Sequence, residues 1–127
     1  MLATVVTARA LIVHGGWDGH DPRGFADHYA TVLRDEGFEV ELSDTLDALR
    51  DADALSRLSL IVPIWTMGTI EPEQLQPLTE AVAGGVGLAG FHGGMGDAFR
   101  SAPEFQIMVG GQFVGHPDGI KEYDVTI

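Results

Sequence analysis

The apolar positions fall into short runs divided by polar and glycine-rich segments, and the spacing within each run sets the element it predicts. Ala10 to Val13 is a continuous apolar run ending in His14-Gly15-Gly16, as in a strand buried on both faces. Asp21 reads as a helix N-cap with Pro22 at the first helical position. Phe25, Tyr29, Val32 and Leu33 then recur at i, i+4, i+7 and i+8 until Gly37 closes the helix. Phe38 to Leu42 alternates as a second strand, and Ser43 or Asp44 opens a short acidic helix reaching about Arg50. Leu58 to Val62 is a third strand, stopped by Pro63. A helix from near Pro72 to Gly84 contains Pro77, which predicts a kink or a later start. Val86 to Gly90 is a glycine-diluted fourth strand, Asp97 caps a further helix carrying Phe99 and Arg100, and Tyr123 to Ile127 is again strand-like.

Strands alternating with helices predict an α/β fold: an open, mostly parallel sheet with helices on both faces. In such sheets a ligand sits beyond the carboxyl ends of the strands. The chain's odd residues gather at those ends, in loops rich in histidine, tryptophan and glycine.

Composition narrows the chemistry. With 127 residues, the chain is expected to be one domain, 1–127. A formal net charge of −12 speaks against nucleic acid or an anionic membrane as partner, because phosphates are gripped by clustered Lys and Arg. A ligand that is neutral, or one held by local dipoles, fits that charge better. The absence of cysteine removes disulfides, thiolate metal sites and every cysteine nucleophile, and permits a reducing compartment. No run approaches the roughly 20 apolar residues of a membrane span. The apolar start, Met1 to Val13, lacks a basic n-region and reads as mature chain, so a cytoplasmic protein is expected.

The strongest local signal is Gly90-Phe91-His92-Gly93-Gly94, read as a turn between strand and helix that thrusts its middle side chain out above the sheet. Histidine there suits acid–base work or metal ligation, and the dipole of a following helix would hold the ring neutral. His14 and His20 flank the loop after the first strand, and His116 lies further on. If the loops share one face, His14, His20, His92 and His116 are the candidate ligands for a divalent metal, although no helical His-x-x-x-His pair is present. Trp17 and Trp65 offer aromatic faces to the apolar side of a hydroxylated ligand. Gly85-Val86-Gly87-Leu88-Ala89-Gly90 matches a dinucleotide fingerprint letter by letter, yet lies before and within a strand. His28 on the first helix reads as solvated surface.

Taken in order, His14-Gly15-Gly16-Trp17 with Gly19-His20, Trp65-Thr66-Met67-Gly68, Gly90-Phe91-His92-Gly93-Gly94, Asp97-Ala98-Phe99-Arg100, and Gly110-Gly111-Gln112-Phe113 with His116-Pro117 resemble the ThuA-like, or trehalose utilisation, family. That family is similar in fold to the class I glutamine amidotransferases, a flavodoxin-like architecture. The cysteine that amidotransferases carry at the elbow is replaced here by His92, so thioester amidotransfer is excluded. The resemblance implies bacterial carbohydrate metabolism, with trehalose, related disaccharides or their keto derivatives as substrates. His92, His20 and His116 are then the expected catalytic residues, and Trp17, Trp65, Asp97 and Arg100 the expected substrate-binding ones. Family members usually continue past the position of Ile127, so the chain reads as C-terminally truncated or as a minimal variant, with an uncovered sheet edge favouring a homo-oligomer. The rival expectation is a non-catalytic sugar-binding module on the same scaffold.

Overall fold

The computed structural model describes residues 7–127, so the reading of the extreme N-terminus as mature chain partly lies outside it. Four strands, β1 (Arg9–Gly16), β2 (Glu39–Ser43), β3 (Leu60–Thr66) and β4 (Gly87–Leu88), form one parallel sheet in the order β2-β1-β3-β4. Helices α1 (Pro22–Asp35), α2 (Ala52–Ser56), α3 (Pro72–Ala83) and α4 (Pro103–Val109) complete the open, flavodoxin-like α/β architecture that the alternation predicts. None of these helices is long and apolar enough to cross a membrane.

The pleat divides the core in two. Leu11, Val13 and Ile61 join Leu55 of α2, Leu78 of α3 and Phe105 of α4 on one face. Ile12, Val62 and Ile64 meet Ala26 and Ala30 of α1 on the other. Burying a side chain of this size is worth about 1.5–3 kcal/mol, so the two clusters together fix which face each strand residue takes.

Helix α1 begins as expected: the Asp21 carboxylate accepts the N–H of Gly24, and Pro22 occupies the first turn. Its buried stripe differs from the expected one. Pro22, Ala26 and Ala30 face the sheet, Tyr29 and Leu33 of the expected stripe pack half-buried beside them, and Phe25 and Val32 are exposed. Alanine methyls at the contact line let α1 pack against β1 and β3, and the bulkier residues take its flanks.

Other expectations also need correction. The acidic segment is not one helix: a 3-10 turn at Leu46–Leu49, capped by the Thr45 hydroxyl, is followed by α2, capped by Asp51. Pro63 does not stop β3. The odd-numbered residues Ser59 and Ile61 offer their carbonyls to the N–H groups of Gly87 and Ala89, so position 63 presents its missing N–H on the β4 side, where that ladder has ended. Helix α3 runs continuously from Pro72 through Pro77 to its Gly84 cap, without a later start. Strand β4 is only Gly87–Leu88, since the chain peels away after Ala89.

Asp97 caps no α-helix. Its carbonyl accepts the Met67 N–H at 2.8 Å, and Ala98 forms a parallel bridge with Met67, which commits the segment to the end of β3. Helix α4 starts only after Ala102. Tyr123 to Ile127 forms no strand and stays exposed, its apolar side chains meeting no sheet among the described residues.

Candidate functional site

With β1 flanked by β2 on one side and β3 on the other, the direction of strand order reverses between β1 and β3, where such sheets open a crevice at their carboxyl ends. Those ends touch. Gly16 has φ +82°, and a Cβ there would lie 2.2 Å from the Thr66 carbonyl oxygen, so glycine is required for β1 to lie against β3 at this point. The Trp17 N–H then donates to that same carbonyl at 3.2 Å.

From Trp17 a 3-10 turn, Asp18–His20, folds the chain back over the end of β3. His20 Nδ1 lies 3.0 Å from Thr66 Oγ1 and 3.3 Å from the Gly93 carbonyl oxygen. The Thr66 hydroxyl, itself buried, donates to that Gly93 carbonyl. A Cβ on Gly93 would stand 3.0 Å from His20 Nδ1, so the glycine makes room for the imidazole. The Trp17 ring meets His20 edge-on at 4.8 Å.

The Gly90–Gly94 segment does turn sharply. The Phe91 carbonyl accepts the N–H groups of Gly94, Met95 and Gly96 at 3.1, 2.7 and 3.3 Å, closing a π-helical turn over His92–Gly96. No α-helix follows directly, so the helix dipole expected to act on His92 is not there. Phe91 packs toward α1, stacked on Tyr29 at 5.6 Å and tilted against Phe25 at 5.2 Å. His92 is exposed, its ring 6.3 Å from His20 and 4.8 Å from Phe113.

Phe113 is tied to the turn by its N–H, which donates to the Gly96 carbonyl at 2.8 Å, and its ring meets His116 at 4.6 Å. The Arg100 guanidinium lies 5.6 Å from the Phe113 ring centre, within cation–π range, and its Nε donates to the buried Asp97 carboxylate at 2.6 Å. That hydrogen bond raises the pKa of Arg100 further above its ordinary value. Three non-glycine residues on this rim, Asp21, Met67 and Phe99, hold left-handed backbone with φ between 46° and 56°.

Trp17, His20, His92, Asp97, Arg100 and His116 are thus strung along one rim, with Phe113 between His92 and His116. Two candidates stand apart. His14 is the sixth residue of β1, not of a loop, and shares the face of Ile12 under α1. Burial lowers its pKa, reinforced by Arg23 and opposed by Asp44 and Asp27. Trp65 belongs to β3 and packs on the α3 face of the core, its ring filling the space beside Gly15 and Gly68. The four histidines therefore do not converge, and among the described residues no three His, Asp or Glu side chains are grouped to hold a metal ion.

Thr66, the Gly93 carbonyl and Phe113 are the members that sequence reading passes over. The first two lie inside the motifs containing Trp65 and His92, and only the strand pairing shows that these motifs touch. The rim is an open shelf. A cavity of about 430 Å³ lies elsewhere, between α3 and the Ser101–Glu104 segment, lined by Ile70, Leu75, Thr79 and Ala102. Of the dinucleotide-like glycines, Gly85 precedes β4, Gly87 lies in it and Gly90 follows it, and no α-helix opens there.

Comparison with known proteins finds no curated protein and no solved structure that matches. The family model described as trehalose utilisation, ThuA, matches residues 9–127 and so takes in β1, the His92 turn and the Phe113–His116 segment. The chain belongs to the ThuA, trehalose utilisation, family.

Proposed function

We propose that the shelf at the ends of β1 and β3 takes a small neutral disaccharide, related to trehalose or to its keto derivative, with His92, His20 and His116 as its polar groups. The observation that carries this is the run of rings from Trp17 through His20, His92 and Phe113 to His116, flanked by the Asp97–Arg100 pair. Aromatic faces meet the C–H side of a pyranose while imidazoles and the guanidinium engage its hydroxyls. A net charge of −12 favours an uncharged ligand over a sugar phosphate. In this reading His92, exposed and 6.3 Å from His20, gives and takes protons, and Arg100 orients Asp97 or a ligand oxygen.

A second reading, a sugar-binding module without chemistry, draws on one observation. The Phe113 ring stands between His92 and His116, at 4.8 and 4.6 Å, so these two imidazoles are parted by hydrocarbon and not paired as acid and base. Calorimetric titration of wild type and His92→Ala with trehalose and a keto-disaccharide, combined with product analysis, tests both. Binding that His92→Ala abolishes supports the shelf, and conversion of the sugar then decides for the enzyme. Equal affinity in the two proteins removes His92 from the site.

A further inference from the structure

We propose that Thr66 is a positioning residue that holds neutral His20 in the tautomer protonated at Nδ1, leaving the Nε2 lone pair as the shelf's hydrogen-bond acceptor and base. Three polar atoms from three parts of the chain meet at one point: His20 Nδ1, Thr66 Oγ1 and the Gly93 carbonyl oxygen. A carbonyl only accepts, and a threonine hydroxyl has one hydrogen. The Thr66 hydrogen is spent on Gly93, so Oγ1 faces His20 with lone pairs only. Nδ1 stands 3.0 Å from one acceptor and 3.3 Å from the other, and a lone pair there would meet lone pairs from both. A proton on Nδ1 satisfies the cluster, and Nε2 is left unprotonated in the neutral ring.

The surroundings are built for this. Thr66 is buried at the last position of β3, where its χ1 is restricted by branching and its carbonyl is held by the Trp17 N–H. Gly93 carries no Cβ to push the imidazole away, and its carbonyl is fixed by the turn that Phe91 closes. The tautomer is the minor one for a histidine side chain free in water, so the protein, not the ring, selects it. Nε2 makes no hydrogen bond among the described residues, and its lone pair suits a ligand hydroxyl as donor. This last point rests on the proposed sugar site, whereas the tautomer does not.

The test therefore needs no ligand. Long-range proton–nitrogen correlation spectra of the imidazoles, recorded at about pH 8 where an ordinary histidine is neutral, report which nitrogen of His20 bears the proton. In wild type Nδ1 is expected to be the protonated nitrogen. Thr66→Ser, which keeps the hydroxyl, should leave that pattern, and Thr66→Val, nearly the same shape without it, should move the population toward the Nε2-protonated form of a free histidine side chain. A His20 protonated at Nε2 in wild type overturns the proposal without any variant. So does a Thr66→Val spectrum identical to wild type. A negative sugar titration with the expected spectrum would count against the sugar site alone.

Discussion

Arg100 reaches back three residues to Asp97 with a 2.6 Å hydrogen bond in which the carboxylate is buried and the guanidinium is half exposed. The pair is lopsided, and so are the consequences of breaking it. Arg100→Ala strands a charge that water barely reaches, whereas Asp97→Ala leaves an arginine that water can solvate. Urea denaturation should give Arg100→Ala the lower midpoint of the two, with the double variant recovering part of the loss. A lower midpoint for Asp97→Ala would contradict this.

Gly16 and Gly96 make a contrasting pair. A Cβ at Gly16 meets the Thr66 backbone at 2.2 Å on left-handed backbone, while one at Gly96 meets nothing within 4 Å. Gly16→Ala should destabilise by about 2 kcal/mol or more, and Gly96→Ala by no more than about 0.5 kcal/mol. Chemical denaturation of both variants checks the difference.

Ala26 is fully buried between α1 and the sheet. Ala26→Leu adds three carbons where α1 already touches β1 and β3, and should cost about 1–3 kcal/mol. Val32→Ala on the exposed flank of the same helix should stay within about 0.5 kcal/mol. Equal effects at the two positions would show that α1 sits in another rotation.

His14 carries the pH dependence of the core. Its pKa in the fold lies below the ordinary 6.5, first because burial disfavours the imidazolium and then because of Arg23, so the unfolded chain takes up the proton more readily. Above the unfolded value both states are neutral and the group contributes no slope. As pH falls below 6.5, stability declines until the folded pKa is passed. Denaturation midpoints measured across that window should fall for wild type and fall less steeply for His14→Gln.

How much of this the sequence discloses depends on whether a feature is local. The Asp21 cap, the proline at the start of α1 and the strand at Ala10–Val13 rest on neighbouring residues and are read directly. The α1 contact stripe is hidden because the larger residues Phe25 and Val32 mimic a buried face, and how near the helix lies to the sheet is a tertiary fact. Pro63 misleads for a similar reason: proline ends a strand only if its N–H side has a partner, and the short β4 removes that partner. At the rim, the glycines flag close approach, but the meeting of Thr66 with Gly93, 27 residues on, depends on strand pairing.

The stretch of β3 beyond Ile61 has two claimants. A Cβ on Gly94 would lie 3.0 Å from the Ile64 Cα and 3.2 Å from the Pro63 carbonyl oxygen, so the loop bearing His92 occupies the very flank along which a longer β4 would have to zip. Sheet growth and presentation of that imidazole are mutually exclusive outcomes for the same few ångströms of backbone, and the proline, by offering no donor to an incoming strand, tips the choice toward the turn that bears His92.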